Sequence, residues 1–167
     1  LRIRHVKNLV SMETRDANSE GDGEVNMSML IKASLRMRPD RIIVGEVRGA
    51  EALDMLSAMN TGHDGSLSTG HANSTEDMLT RLESMVLMAV ELPLSAIKKQ
   101  IAAGLDILVH LQRMRDHSRR VTEISEIRGV ENGEITLNKI YEFNNATGRL
   151  EKKNKLLHRE KLEINGA

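Results

Sequence analysis

Met27, Leu30, Ile31 and Leu35 recur at helical spacing and predict a first helix. Pro39 ends it, because proline disfavours helical geometry in the residue before it. Upstream, "LRIRHVKNLVSMETR" alternates like a strand, and "NSEGDGE" (18–24) reads as a polar, glycine-bearing loop. "RIIVGEV" (41–47) is a short, continuous apolar run of β-branched residues, the pattern of a strand buried on both faces. Ala52, Leu53, Leu56 and Met59 line one side of a second helix, with Gly62 placed to close it. "GSLSTGHA" (65–72) predicts a second short strand. Ser74 and Asp77 stand at capping-box spacing before a helix carrying Met78, Leu82, Met85 and Val86. Pro93 and Ser95 open another helix, with Ile97 and Ile101, that stops near Gly104. There the period falls to two: "DILVHLQR", "RRVTEISEIRGV" and "GEITLNKIYEFN" predict three strands joined by short polar turns.

Strands alternating with helices and followed by a meander predict an α/β domain, with a mainly parallel sheet and an antiparallel C-terminal extension. Residues 1–147 make up that domain on this reading. Residues 148–167, "GRLEKKNKLLHREKLEINGA", read as a charged tail, either a surface helix or frayed. The chain begins at Leu1 and reads as a piece of something longer.

Composition narrows the function classes. The 167 residues suit one domain, 40% apolar and 29% charged. Lys plus Arg and Asp plus Glu both total 24, so charge points to neither nucleic acid nor membrane. Tyr141 and Phe143 are the only aromatics, which argues against a platform for stacking bases. The absence of cysteine excludes disulfides, thiolate nucleophiles and Cys-type zinc sites. No apolar run approaches the roughly 20 residues of a membrane span. No signal peptide is visible, so a cytoplasmic setting is the default expectation.

Chemistry concentrates in two stretches. In "RPDRIIVGEVRGAEA" a strand delivers Gly45 and Glu46 at its carboxyl end, with Arg48 just beyond. Ligands of open α/β sheets sit outside such ends. Position leaves two readings open: Glu46 holds a magnesium-bound or attacking water, or it pairs with an arginine such as Arg48 and seals the strand end. "TGHDGSLSTGHAN" (61–73) holds Thr-Gly-His twice. His63 falls in the turn after a helix and reads as a turn or cap residue. His71 falls at a strand exit, among Ser68, Thr69 and Asn73. Their spacing matches no standard zinc signature.

Elsewhere the signals are weak. Gly21-x-Gly23 lacks a third glycine, and Arg113, Arg115, Arg119 and Arg120 read as a solvated hairpin tip. His5, His110, His117 and His158 have no supporting constellation. None of the twelve glycines is followed by lysine, so no phosphate loop is present. The residues alone describe half of a phosphate-chemistry site.

The segment "LRMRPDRIIVGEVRGAEALDMLSAMNTGHDGSLSTGHANS" resembles the secretion ATPases of the type II and type IV superfamily, and among them the CpaF-type ATPases of tight-adherence (Tad) pilus systems. The resemblance runs from about Thr14 to beyond Pro93. "GEVRGAEALDML" is similar to the family's Walker B region, and "TGHDGSLSTGHANS" to its histidine box.

This resemblance implies a RecA-like P-loop NTPase fold and a homo-oligomeric ring, usually a hexamer, that binds Mg-ATP between protomers. It places the phosphate loop and acidic box upstream of Leu1, with "LRI" as the last trace of the latter. Glu46 matches the Walker B glutamate that polarises the attacking water, touching Mg2+ only through bound water. His71 matches the box's second histidine, a sensor near the γ-phosphate. Arg48 braces the site, and Arg15 is a candidate near the phosphates or a neighbouring subunit. Where Gly49 stands many relatives carry Asp. Where Gly70 stands they carry a bulky apolar residue, which implies a more flexible strand beneath His71.

The implied function is an ATP-hydrolysing motor that powers pilus assembly or protein secretion. It works from the cytoplasmic face on an inner-membrane platform protein, without nucleic acid. The 167 residues alone are expected to be inactive, lacking the phosphate cradle. The alternative is a ring-assembly or interaction module of the same fold that does not hydrolyse ATP. A DNA-translocating motor of related fold is disfavoured by the balanced charge.

Overall fold

The computed structural model describes residues 3, 6–160 and 163; His5, with Leu1 and Arg2 of the acidic-box trace, lies outside them. Helix α1 (Met27–Arg36) starts where the Asn26 side chain accepts from the Met29 N–H. Strand β1 (Ile43–Val44), helix α2 (Glu51–Met59) and strand β2 (Leu67–Ser68) follow. β1 and β2 run parallel, Ile43 opposite Leu67 and Val44 opposite Ser68. Helix α3 (Thr75–Ala89) is capped by Ser74, whose hydroxyl accepts from the Asp77 N–H at 3.0 Å. Helix α4 (Leu94–Gly104) then leads into four antiparallel strands in sequence order: β3 (Ile107–Arg113), β4 (Arg119–Glu131), β5 (Glu134–Asn144) and β6 (Arg149–Lys152).

The helical periodicities converge on one core. Ala52 and Leu56 of α2, Val86 of α3, and Ile97 and Ile101 of α4 are wholly buried, with Ile31 of α1 and Val44 of β1 beside them. Each fully buried valine, leucine or isoleucine side chain contributes about 1.5–3 kcal/mol. Ile127, Ile135 and Leu137 join this core from the antiparallel sheet, which seats α4 on β4 and β5. Among the described residues no helix is long and apolar enough to cross a membrane.

Four details depart from the sequence reading. The opening alternation yields one bridge, Arg15 with Val25, and no longer strand among the described residues, since nothing there pairs with it. The parallel part comprises two short strands, and the antiparallel part is the larger sheet. β1 is covered on one face only: Ile42, Val44 and Val47 enter the core, whereas Ile43 and its partner Leu67 stand exposed. The antiparallel sheet also extends past residue 147, because β6 pairs with β5 and sets Leu150 opposite Phe143. Farther on, Lys155, Leu157 and His158 are hydrogen-bonded across the sheet, neither helical nor frayed there. The arginine cluster does flank the β3–β4 turn, where Arg120 meets Asp116 at 3.4 Å and lies over the Phe143 ring.

Candidate functional site

Parallel pairing puts the carboxyl ends of β1 and β2 at one edge, and the ladder outlasts the strands. The Leu67 N–H donates to Ile42 O, the Val47 N–H donates to Thr69 O at 2.9 Å, and the Thr69 hydroxyl donates to Gly45 O at 2.6 Å. Glu46, just past β1, thereby meets His71, just past β2: Nε2 lies 2.8 Å from Oε1. Arg48 closes the other side, its Nη2 2.6 Å from Oε2. The carboxylate is recessed, 23% exposed, while His71 and Arg48 stand out at 83% and 76%.

The two carboxylate oxygens differ. Oε2 accepts from the Arg48 guanidinium. Oε1 is shut off from solvent and has no hydrogen-bond partner among the described residues, although the His71 imidazole nitrogen lies 2.8 Å away. It retains acceptor capacity. The Arg48 hydrogen bond holds the Glu46 carboxyl below its ordinary range against the opposing effect of desolvation, with further help from the charges of Arg48 and His71. The same pairing raises Arg48. The site therefore presents an ionised carboxylate between the Arg48 guanidinium and the His71 imidazole.

Glu51 fixes the connecting loop. Its Oε1 accepts from the Arg48 N–H at 2.7 Å and the Gly49 N–H at 3.1 Å, satisfying two loop amides just ahead of α2. Neither Glu51 nor Thr69 stands out in the sequence. The legible signal for Glu51 is an acid in the first turn of a predicted helix, and Thr69 has none beyond its neighbour His71.

The two Thr-Gly-His triplets separate. His63 Nδ1 lies 3.0 Å from Ala58 O and Thr61 Oγ1 donates to the same carbonyl, so the first triplet closes α2, with Gly62 at φ +85. Among the described residues no group of three or more His, Cys, Asp or Glu side chains is arranged to hold a metal. Arg15 sits apart: its Nε donates to Gly23 O, and no hydrogen bond or ion pair joins it to Glu46, Arg48 or His71 among the described residues. Gly70 leaves no void beneath His71. The Met78 thioether fills the space, so a Cβ at position 70 would lie 2.6 Å from Met78 Cε.

Residues 4–158 match the family described as type II/IV secretion system protein. A putative conjugal transfer protein of Mycobacterium tuberculosis is 46% identical over 123 residues, covering 74% of this chain and 35% of that protein. The conjugal transfer protein TrbB of Rhizobium radiobacter is 39% identical over 126 residues, covering 75% and 36%. The crystal structure of the VirB11 ATPase from the Brucella suis type IV secretion system, in complex with sulphate, is similar at 34% identity with a TM-score of 0.58, over 61% of this chain and 32% of that one. The chain thus spans about a third of the length of these relatives. Matched along nearly all of its residues, it belongs to the type II/IV secretion system protein family.

Proposed function

We propose that this chain is the carboxyl-terminal part of a RecA-like, ATP-hydrolysing secretion motor in which Glu46 is the Walker B glutamate. The observation that carries the reading is the recessed, ionised Glu46 held between Arg48 and His71 at the shared carboxyl edge of two parallel strands. Phosphoryl transfer asks a protein mainly for positioning and charge stabilisation, and this edge has groups for both. A relative whose name is VirB11 ATPase supports the same class.

The residues present fit part of an Mg-ATP site. Glu46 Oε1 has acceptor capacity left, and a water bound to the metal or poised for attack reaches it once the exposed His71 swings aside. Mg-ATP, when bound, supplies the terminal phosphoryl group and a divalent counter-charge. Glu46 accepts a hydrogen bond from the water and orients it. Arg48 keeps the carboxylate ionised and in place. His71, exposed at the rim, donates to an anionic oxygen when one is there and falls back on Glu46 when it is not. The cradle for the inner phosphates comes from residues outside these 167. Arg15, on its separate hairpin, is the candidate for a contact to the phosphates or to a neighbouring subunit.

The finer reading rests on the wording of the motifs. "GEVRGAEALDML" as Walker B region and "TGHDGSLSTGHANS" as histidine box favour a CpaF-type ATPase of a Tad pilus system. It works as a ring, usually a hexamer, at the cytoplasmic face of an inner-membrane platform protein. The segment from residue 148 belongs with the domain of residues 1–147, because β6 pairs with β5 and Leu157 and His158 are bonded to Glu126 of β4.

The test is Mg-dependent ATP hydrolysis by the natural full-length chain beside Glu46→Gln. Hydrolysis lost in the variant while ATP binding persists is expected. A variant as fast as its parent removes Glu46 from catalysis. A parent that binds no ATP leaves the non-hydrolytic ring module as the better reading.

A further inference from the structure

His71 is 83% exposed, so packing does not hold it. Besides the Glu46 carboxylate, its place is set by the backbone on either side. In front, the Thr69 hydroxyl is tied to Gly45 O. Behind, Thr75, the first residue of α3, is 3% exposed and its hydroxyl donates to Glu123 Oε1 on β4 at 2.6 Å, across 48 positions of sequence. Glu76 Oε2 is the longer alternative acceptor at 3.1 Å, and one hydroxyl proton serves one of them.

Glu123 is itself held firmly. Ser125, wholly buried, donates to Oε1 at 2.6 Å, and Lys139 Nζ lies 3.2 Å from Oε2. Lys139 is in turn fixed by Glu142 at 2.8 Å. Burial pushes the Glu123 carboxyl up, but the hydroxyls of Ser125 and Thr75 and the Lys139 ammonium outweigh it and keep it low. A charged acceptor makes the Thr75 bond one of the stronger kind.

We propose that Glu123, on the antiparallel sheet, is a positioning residue for His71, acting through Thr75 to anchor the far end of the 71–74 loop. The catalytic edge is then braced from two sheets: the parallel pair holds the loop's entry and the antiparallel sheet holds its exit. The inference rests on the motor reading for its effect on rate, but the anchoring itself does not.

The experiment uses the natural full-length chain with Thr75→Val, which keeps shape and removes the donor, with Thr75→Ser as conservative rescue, and with Glu123→Gln. Without nucleotide, exchange of the Asp77 and Met78 amides, which donate to Ser74 at the loop's exit, is expected to quicken roughly tenfold in Thr75→Val, the scale of one lost hydrogen bond to a charged group. Thr75→Ser restores protection. In ATP hydrolysis, Thr75→Val lowers kcat with little change in KM, and adds nothing further in a His71→Ala background. Exchange unchanged in both Thr75→Val and Glu123→Gln overturns the proposal, as does a kcat loss of equal size with and without His71. A parent that hydrolyses no ATP sinks the motor reading instead, and the exchange arm still decides the anchor. If Thr75→Val does not fold, Glu123→Gln against Thr75→Ser gives the same comparison.

Discussion

Replacing Glu126 by glutamine tests what holds the segment beyond β6 against the sheet. The Glu126 carboxylate is 2% exposed and accepts from the His158 N–H at 2.6 Å, the Leu157 N–H at 2.9 Å and Asn138 Nδ2 at 2.9 Å, with His158 Nδ1 3.1 Å away. A hydrogen bond to a charged group nets about 1.5–3 kcal/mol, and bonds sharing one acceptor do not add. Glutamine keeps one acceptor oxygen but turns an NH2 toward N–H groups, so one or two bonds are lost. The expected cost at neutral pH is about 2–4 kcal/mol. Acid should erase the difference. Burial raises the Glu126 carboxyl, but the His158 and Leu157 amides and Asn138 lower it further, leaving it below the ordinary 4.5. Its contribution is therefore complete above that pH and is lost as pH falls through the depressed folded value. Urea unfolding of both proteins from pH 7 into acid measures this, with amide exchange at Leu157 and His158 as the local readout. A gap under about 0.5 kcal/mol at pH 7, within the range of ordinary surface substitutions, would refute the reasoning, as would a gap that stays constant in acid.

Ile97→Ala, at a wholly buried position of α4, is expected to destabilise by about 2–5 kcal/mol in urea unfolding. Gly65→Ala and Gly70→Ala should differ in size. Gly65 has φ +79 and its Cβ would lie 2.8 Å from Arg41 Nε, so more than about 1 kcal/mol is lost. Gly70 has no such backbone demand, and its Cβ would meet the tip of Met78, which rotates aside for less than about 1 kcal/mol. Paired melting temperatures compare them, and equal losses would contradict the argument.

Much of this arrangement is legible in order. The apolar spacings of α1 to α4, the Ser74 cap, the proline boundaries and the period-two strands from Ile107 to Asn144 all fall where the pattern puts them. Each is a local property, written within one turn or one pleat. The four-residue β6 is too short to show a period of its own and forms because β5 offers an edge to pair with. The run at 41–47 reports apolar residues but not which faces are covered, so the exposure of Ile43 was not legible.

The sequence by itself determined the helices, the hairpins and the candidates Glu46, Arg48 and His71, because periodicity and motif spacing are local. Tertiary structure decided which of them meet. Parallel register joins Glu46 to His71 and leaves Arg15 on another hairpin. The docking of α3 against the antiparallel sheet brings Thr75 to Glu123, and the fold of the last strands lays Leu157 and His158 on Glu126. The physical reason is that a hydrogen bond between distant residues depends on strand register and helix placement, and these follow from burying all the apolar faces together.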